Sequence, residues 1–102
     1  MKEYEIFLPL YYNDGTPIDT AFIPALRVRL LEQFNGVTFF PQPNEGYWQM
    51  GGITYRDEIV IFRVIAANPR TARRFLRQLK EELKRDLKQE ENLIIERNVD
   101  TL

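Results

Sequence analysis

Residues 57–83, DEIVIFRVIAANPRTARRFLRQLKEEL, change hydrophobic period partway along, and that change decides the fold. Up to Ala66 the run is β-branched and extended, with Val60, Phe62 and Val64 on one side. Ile59, Ile61 and Ile65 fall on the other side, interrupted by Arg63. This reads as a long strand from Ile53 to Ala66, best from Asp57 onward. Asn68-Pro69 then opens a helix, a cap residue followed by proline at the first helical position. Ala72, Phe75, Leu76, Leu79, Leu83 and Leu87 give that helix one apolar stripe, to about Lys88.

Working back toward the start, Tyr47 to Met50 read as a short extended piece and Val37 to Pro41 as a second strand. A loop carrying Pro41, Pro43, Asn44 and Gly46 is expected between them, with Gly51-Gly52 as a bulge or bend. Before these, Ile18, Phe22, Leu26, Leu30 and Phe34 lie four apart, with Leu31 beside them, and predict a first helix. Asp19 or Thr20 is a candidate cap, but Pro24 is tolerated only in the first turn, so the regular helix is expected to begin nearer Phe22; Asn35-Gly36 ends it in a left-handed residue. Tyr4 to Leu10 read as the first strand, closed by an Asn13-Asp14-Gly15 turn. At the other end, Leu93-Ile94-Ile95 form the core of a last strand ending near Val99.

The order is strand–helix–strand–strand–helix–strand, the α+β ferredoxin-like βαββαβ plan, with 1–102 as one domain. Two helices cover one face of such a four-stranded antiparallel sheet. The other face should then be polar. Here it collects Ile59, Ile61 and Ile65, with Phe7, Phe39 or Phe40, and Ile94 or Ile95. Each such side chain gains about 1.5–3 kcal/mol on burial. The expected solution is a homodimer packed sheet to sheet, unless residues 41–52 fold over the face.

Composition removes several kinds of chemistry. With no Cys, disulfides and thiolate metal sites are excluded. The absence of His removes the commonest general base and metal ligand, and there is no Ser nucleophile. A net charge of -1 gives no steering toward nucleic acid or anionic membrane. The opening MKEYEIFLPLYY does not read as a signal peptide, and no stretch approaches a membrane span, so the cytoplasm is the expected location.

The pattern also resembles a known group. An early strand is followed by Asn13-Asp14-Gly15, then LLEQFNG at 30–36 with Val37-Thr38, then Gly46 and Trp48. Asp57-Glu58 opens an apolar strand, and Gln89-Glu90 precedes Leu93-Ile94. Together these resemble a small bacterial domain-of-unknown-function family with a ferredoxin-like fold. The resemblance implies the fold and carries no activity.

The best candidate ligand-binding residues are Trp48, Tyr55, Arg56 and Asp57, where aromatics, glycines, a cation and carboxylates gather. Trp48 and Tyr55 would form an aromatic wall, Arg56 would hold an anion, and Asp57 or Glu58 would take a proton. On a strand, Asp57 and Glu58 face opposite ways and do not make a catalytic pair. The basic ridge Arg70, Arg73, Arg77, Lys80, Lys84 and Lys88 is diluted by Glu81, Glu82 and Asp86, and reads as a solvated face with intrahelical ion pairs. Ile6-Phe7-Leu8 has a superficial likeness to the first strand of RNA-recognition motifs. The strand from Asp57 lacks their basic-glycine-aromatic run, which argues against nucleic acid. No cofactor or metal is expected. The sequence therefore points to a homodimeric binding or assembly module with a small-molecule or protein partner. The alternative is a small cofactor-independent enzyme of the dimeric α/β-barrel type, monooxygenase- or isomerase-like.

Overall fold

The computed structural model describes residues 1–102. Its elements are β1 (Lys2–Pro9), α1 (Phe22–Phe34), β2 (Thr38–Met50), β3 (Ile53–Ala66), α2 (Pro69–Asp86) and β4 (Ile94–Asn98). The strands form one sheet in the order β2-β3-β1-β4, every neighbouring pair antiparallel. This is the ferredoxin-like βαββαβ fold.

Register assigns the two faces. Tyr4, Ile6 and Leu8 lie opposite Val64, Phe62 and Val60, and all six are buried in the core with Leu26, Leu30, Leu76, Leu79 and Leu83 of the helices. Phe39 joins them by stacking on Phe62 at 4.7 Å, and Ile94 packs against the same core. The outward face therefore takes Phe40 and Ile95, with Phe7, Ile59, Ile61 and Ile65.

Helix ends follow the expected chemistry at the start of α2 and the end of α1. The Asn68 side chain accepts a hydrogen bond from the Thr71 N–H, with Pro69 at the first position of α2. Asn35 ends α1 at φ 60°, its N–H donating to the Leu31 carbonyl. Helix α2 ends two residues before Lys88, which adopts φ 54°. Helix α1 begins at Phe22, as the place of Pro24 requires, but its cap differs from expectation. Ala21 holds the cap position without a side-chain bond, and Asp19 instead forms a turn by accepting from the Ala21 N–H at 2.9 Å.

The central segment corrects the sequence reading. The expected loop between two short strands is one 13-residue strand with a register shift between Phe40 and Asn44. Strand β2 is an edge strand and its ladder with β3 is interrupted at that bulge, the setting in which prolines such as Pro41 and Pro43 are tolerated. Gly51 and Gly52 are the turn of the β2–β3 hairpin, both at positive φ (59° and 78°), with Met50 opposite Ile53. Leu31, placed beside the core stripe by spacing, is exposed. The segment 41–52 extends β2 beside β3 as far as this turn.

Most charges on the helices also bond differently from expectation. Within α2, Lys84 pairs with Glu81 at 3.8 Å and Arg85 with its neighbour Asp86 at 3.1 Å. Glu82 is taken by Arg29 of α1 at 2.6 Å, and Lys80 by Glu91 at 2.8 Å. The i, i+4 spacing makes an intrahelical pair available, but a neighbouring element offers a second cation or anion that spacing cannot see.

Candidate functional site

Strand β1 ends at Pro9, opposite Ile59. Beyond that point, apart from Leu10, whose N–H donates to the Glu58 carbonyl at 2.9 Å, residues 44–58 have no third strand and run on as a two-stranded arm. Cross-strand pairing sets Trp48 opposite Tyr55, Met50 opposite Ile53 and Gly46 opposite Asp57. The period of two puts these six on the side that continues the outward sheet face through Ile59 and Ile61. Four of them leave large apolar surface in solvent: Trp48 and Tyr55 are 44% exposed, Met50 and Ile53 57%. Glycine at 46 has a local cause. A Cβ there would stand 3.0 Å from Cζ3 of Trp48, so its absence lets the indole lie against the strand.

The arm's opposite side is polar and already paired. Arg56 donates to Glu45 at 3.0 Å and reaches Glu58 at 3.5 Å, while the Tyr47 hydroxyl donates to Glu45 at 2.9 Å. The Arg56 hydrogen bond, followed by that of Tyr47, holds the Glu45 carboxyl below its usual range. Of the four residues singled out by sequence, Trp48, Tyr55 and Asp57 thus share one side of the arm. Arg56 faces away from them and is committed to Glu45 and Glu58. Asp57 and Glu58 do face opposite ways.

The outward sheet face also carries a charged cluster that the sequence reading did not assemble. Arg63 of β3 lies 2.7 Å from Glu3 and 3.4 Å from Glu5, both on β1. From β4, Arg97 bonds to Glu5 and lies 3.5 Å from Glu3. The Arg63 guanidinium sits 4.8 Å from the centre of the Phe40 ring. The bond from Arg97 is the main reason the carboxyl of buried Glu5 is held below the usual range. Alternate glutamates at 3 and 5 were the available signal. Their partners are fixed by β1 lying between β3 and β4, which no single strand reveals.

On the helix side, the Tyr4 hydroxyl donates to Glu96 at 2.9 Å, and Arg73 of α2 grips both Glu96 oxygens at 2.6 and 2.7 Å. Burial, with Glu96 beside it, pushes the Tyr4 phenol up to about 12. Chiefly through Arg73, the Glu96 carboxyl falls to about 2. This network ties β1, β4 and α2 together. Its geometry is that of a clamp, with every charge paired.

Two surface hollows are prominent. One, of about 330 Å³, lies between the end of α1 and the start of α2, against Phe34, Ile65, Asn68 and Thr71. The other, of about 150 Å³, lies between the helices at Phe22, Leu26, Arg29 and Leu79. Neither is lined by Trp48, Tyr55, Arg56 or Asp57. No group of three or more acidic side chains is placed to hold a metal ion. No helix is long and apolar enough to cross a membrane.

No family model matches the sequence, and no curated protein does. Solved structures do match. A phage SAM lyase in complex with S-methyl-5'-thioadenosine superposes with a TM-score of 0.70 at 16% identity, over 95% of this chain and 80% of that one. A point mutant of CutA1 from Pyrococcus horikoshii OT3 gives 0.62 at 15% identity, over 100% and 86%. The PII-like protein CutA from Nostoc sp. PCC 7120, in apo form, gives 0.60 at 15% identity, over 98% and 82%. At these identities the likeness shows a shared fold, which hosts unrelated activities.

Proposed function

We propose that this chain is a single-domain, self-associating binding or assembly module of the cytoplasm, a homodimer joined through the outward face of its sheet. The observation that supports this is the row Phe7, Phe40, Ile61, Ile65 and Ile95 on a face over which neither helix packs. A sheet that ended its work as a monomer would alternate apolar with polar residues there. The charges on this face do not oppose coverage. Glu3, Glu5, Arg63 and Arg97 already pair among themselves, so burying them strands no lone charge. The candidate ligand-binding residues Trp48, Tyr55 and Asp57 belong to the same continuous surface, which makes them contact residues in this reading.

The alternative, a small cofactor-independent enzyme, gains no comparable observation, because neither prominent hollow meets the candidate residues. Light scattering and sedimentation equilibrium test the proposal. The expected result is a dimer at micromolar concentration, and a monodisperse monomer at several hundred micromolar would sink it.

A further inference from the structure

The arm of residues 44–58 gives the association a specific form. We infer that each copy lays this arm across the outward sheet face of a second copy. The inference rests on the self-association reading and goes further by naming the contact element and its orientation.

Three observations carry it. First, an isolated two-stranded hairpin is marginal in water and needs a surface to pack against. Here the side bearing Trp48, Met50, Ile53 and Tyr55 has none within the chain. Second, the same chain has a matching apolar surface over which no helix packs, where Ile65 is exposed and Phe40, Ile61 and Ile95 are half-buried. Reciprocal placement about a two-fold axis would cover both surfaces in both copies at once, as an isologous interface requires. Third, the charges are complementary. In the sheet-face cluster the arginines lie outermost: Arg63 and Arg97 side chains are 37% and 48% exposed, against 14% for Glu3 and 10% for Glu5. On the arm, Arg56 serves Glu45 and Glu58, leaving Asp57 without an ion pair on the side that carries the aromatics. Asp57 is therefore the group that would meet the partner's arginine caps. The free edge of β2 is a weaker alternative contact, because Pro41 and Pro43 break its run of N–H donors.

The absence of native cysteine makes cross-linking clean. Tyr55→Cys and Ile65→Cys chains are prepared separately, mixed and oxidised. As the comparison, Tyr55→Cys is mixed with Arg77→Cys, whose site lies on the exposed face of α2. The arm-to-face pair should yield a disulfide-linked dimer in at least tenfold excess over the comparison pair. Asp57→Lys should raise the dissociation constant at least tenfold, with an unchanged circular dichroism spectrum showing that it still folds. A dimer by light scattering that gives no excess cross-link between positions 55 and 65 overturns the arm placement and leaves the dimer standing. A monomer by light scattering overturns the self-association reading, and the arm placement with it.

Discussion

At Lys88 the chain takes a left-handed conformation that an L side chain disfavours, φ 54°. The surrounding bonds explain why. The Gln89 N–H donates to the Lys84 carbonyl at 2.9 Å, and the Lys88 N–H reaches the Arg85 carbonyl at 3.4 Å. These are the two crossed bonds of a Schellman ending, whose left-handed position favours glycine. The ammonium of Lys88, 6.0 Å from the Tyr12 ring, returns little at that distance. Lys88→Gly should therefore stabilise the fold by about 0.5–1 kcal/mol, read as a higher urea midpoint. A lower midpoint would show that the Tyr12 contact outweighs the backbone strain. The Tyr4–Glu96–Arg73 clamp makes a prediction about pH. Because the folded Glu96 carboxyl sits near 2 and the unfolded one near 4.5, its contribution is fully present above about 4.5 and is lost as pH falls toward 2. Tyr4 has the opposite sign. Its phenol is raised to about 12, so its contribution is present below about 10 and lost as pH rises through 12. Urea midpoints measured from pH 2.5 to 7 should fall on the acid side, and Glu96→Gln should flatten that fall. An equally steep acid limb in the variant would assign the loss to other carboxylates, Glu5 foremost.

At the scale of elements, what could be read from sequence depended on whether an element's evidence lay within itself. Helix α2 carries its own signals, a capping Asn68, Pro69 and a leucine stripe, and it forms where those signals place it. Strand β3 likewise spans Ile53–Ala66 as its β-branched run predicts. Strand β2 hides its extent because Pro41, Pro43 and Gly46 are loop residues by local preference. Only an edge position lets them stay in a strand, and edge position is a property of the sheet. The Gly51-Gly52 turn shows the same dependence, since a glycine pair suits a bend, a bulge or a hairpin equally well. A two-residue hairpin with positive φ at both sites restricts it sharply. Gly51→Asn should fold with unchanged or slightly higher stability, because Asn tolerates the left-handed region. Gly51→Val should cost about 1–2 kcal/mol, because a β-branched residue there is strained. Equal midpoints for the two variants would mean that the turn relaxes at no cost.

For the whole molecule, the two faces of β3 separate stability from association. The outward face was legible from one strand, because Ile59, Ile61 and Ile65 alternate with Val60, Phe62 and Val64. The candidate site was legible only in part. Adjacency in sequence grouped Arg56 with Trp48, Tyr55 and Asp57, yet a period of two turns every second residue away. The ionic cluster needed three strands to be set side by side before Glu3, Glu5, Arg63 and Arg97 could meet. The same alternation supplies a test of the architecture. Phe62 is fully buried and stacks on Phe39, so Phe62→Ala should remove about 3–5 kcal/mol, a large share of the ~5–15 kcal/mol that holds a domain folded. Ile65 lies three residues on, facing out. Ile65→Asp adds a charge to a solvated site, so monomer stability should change by only about 0.5 kcal/mol. Across a dimer interface that carboxylate would be buried opposite apolar side chains, and the dissociation constant should rise at least tenfold. Denaturation at low concentration and light scattering at high concentration read these two effects independently. If Ile65→Asp lowered stability as much as Phe62→Ala and left association unchanged, the outward face would be part of the fold's own core, and self-association would have to use another surface.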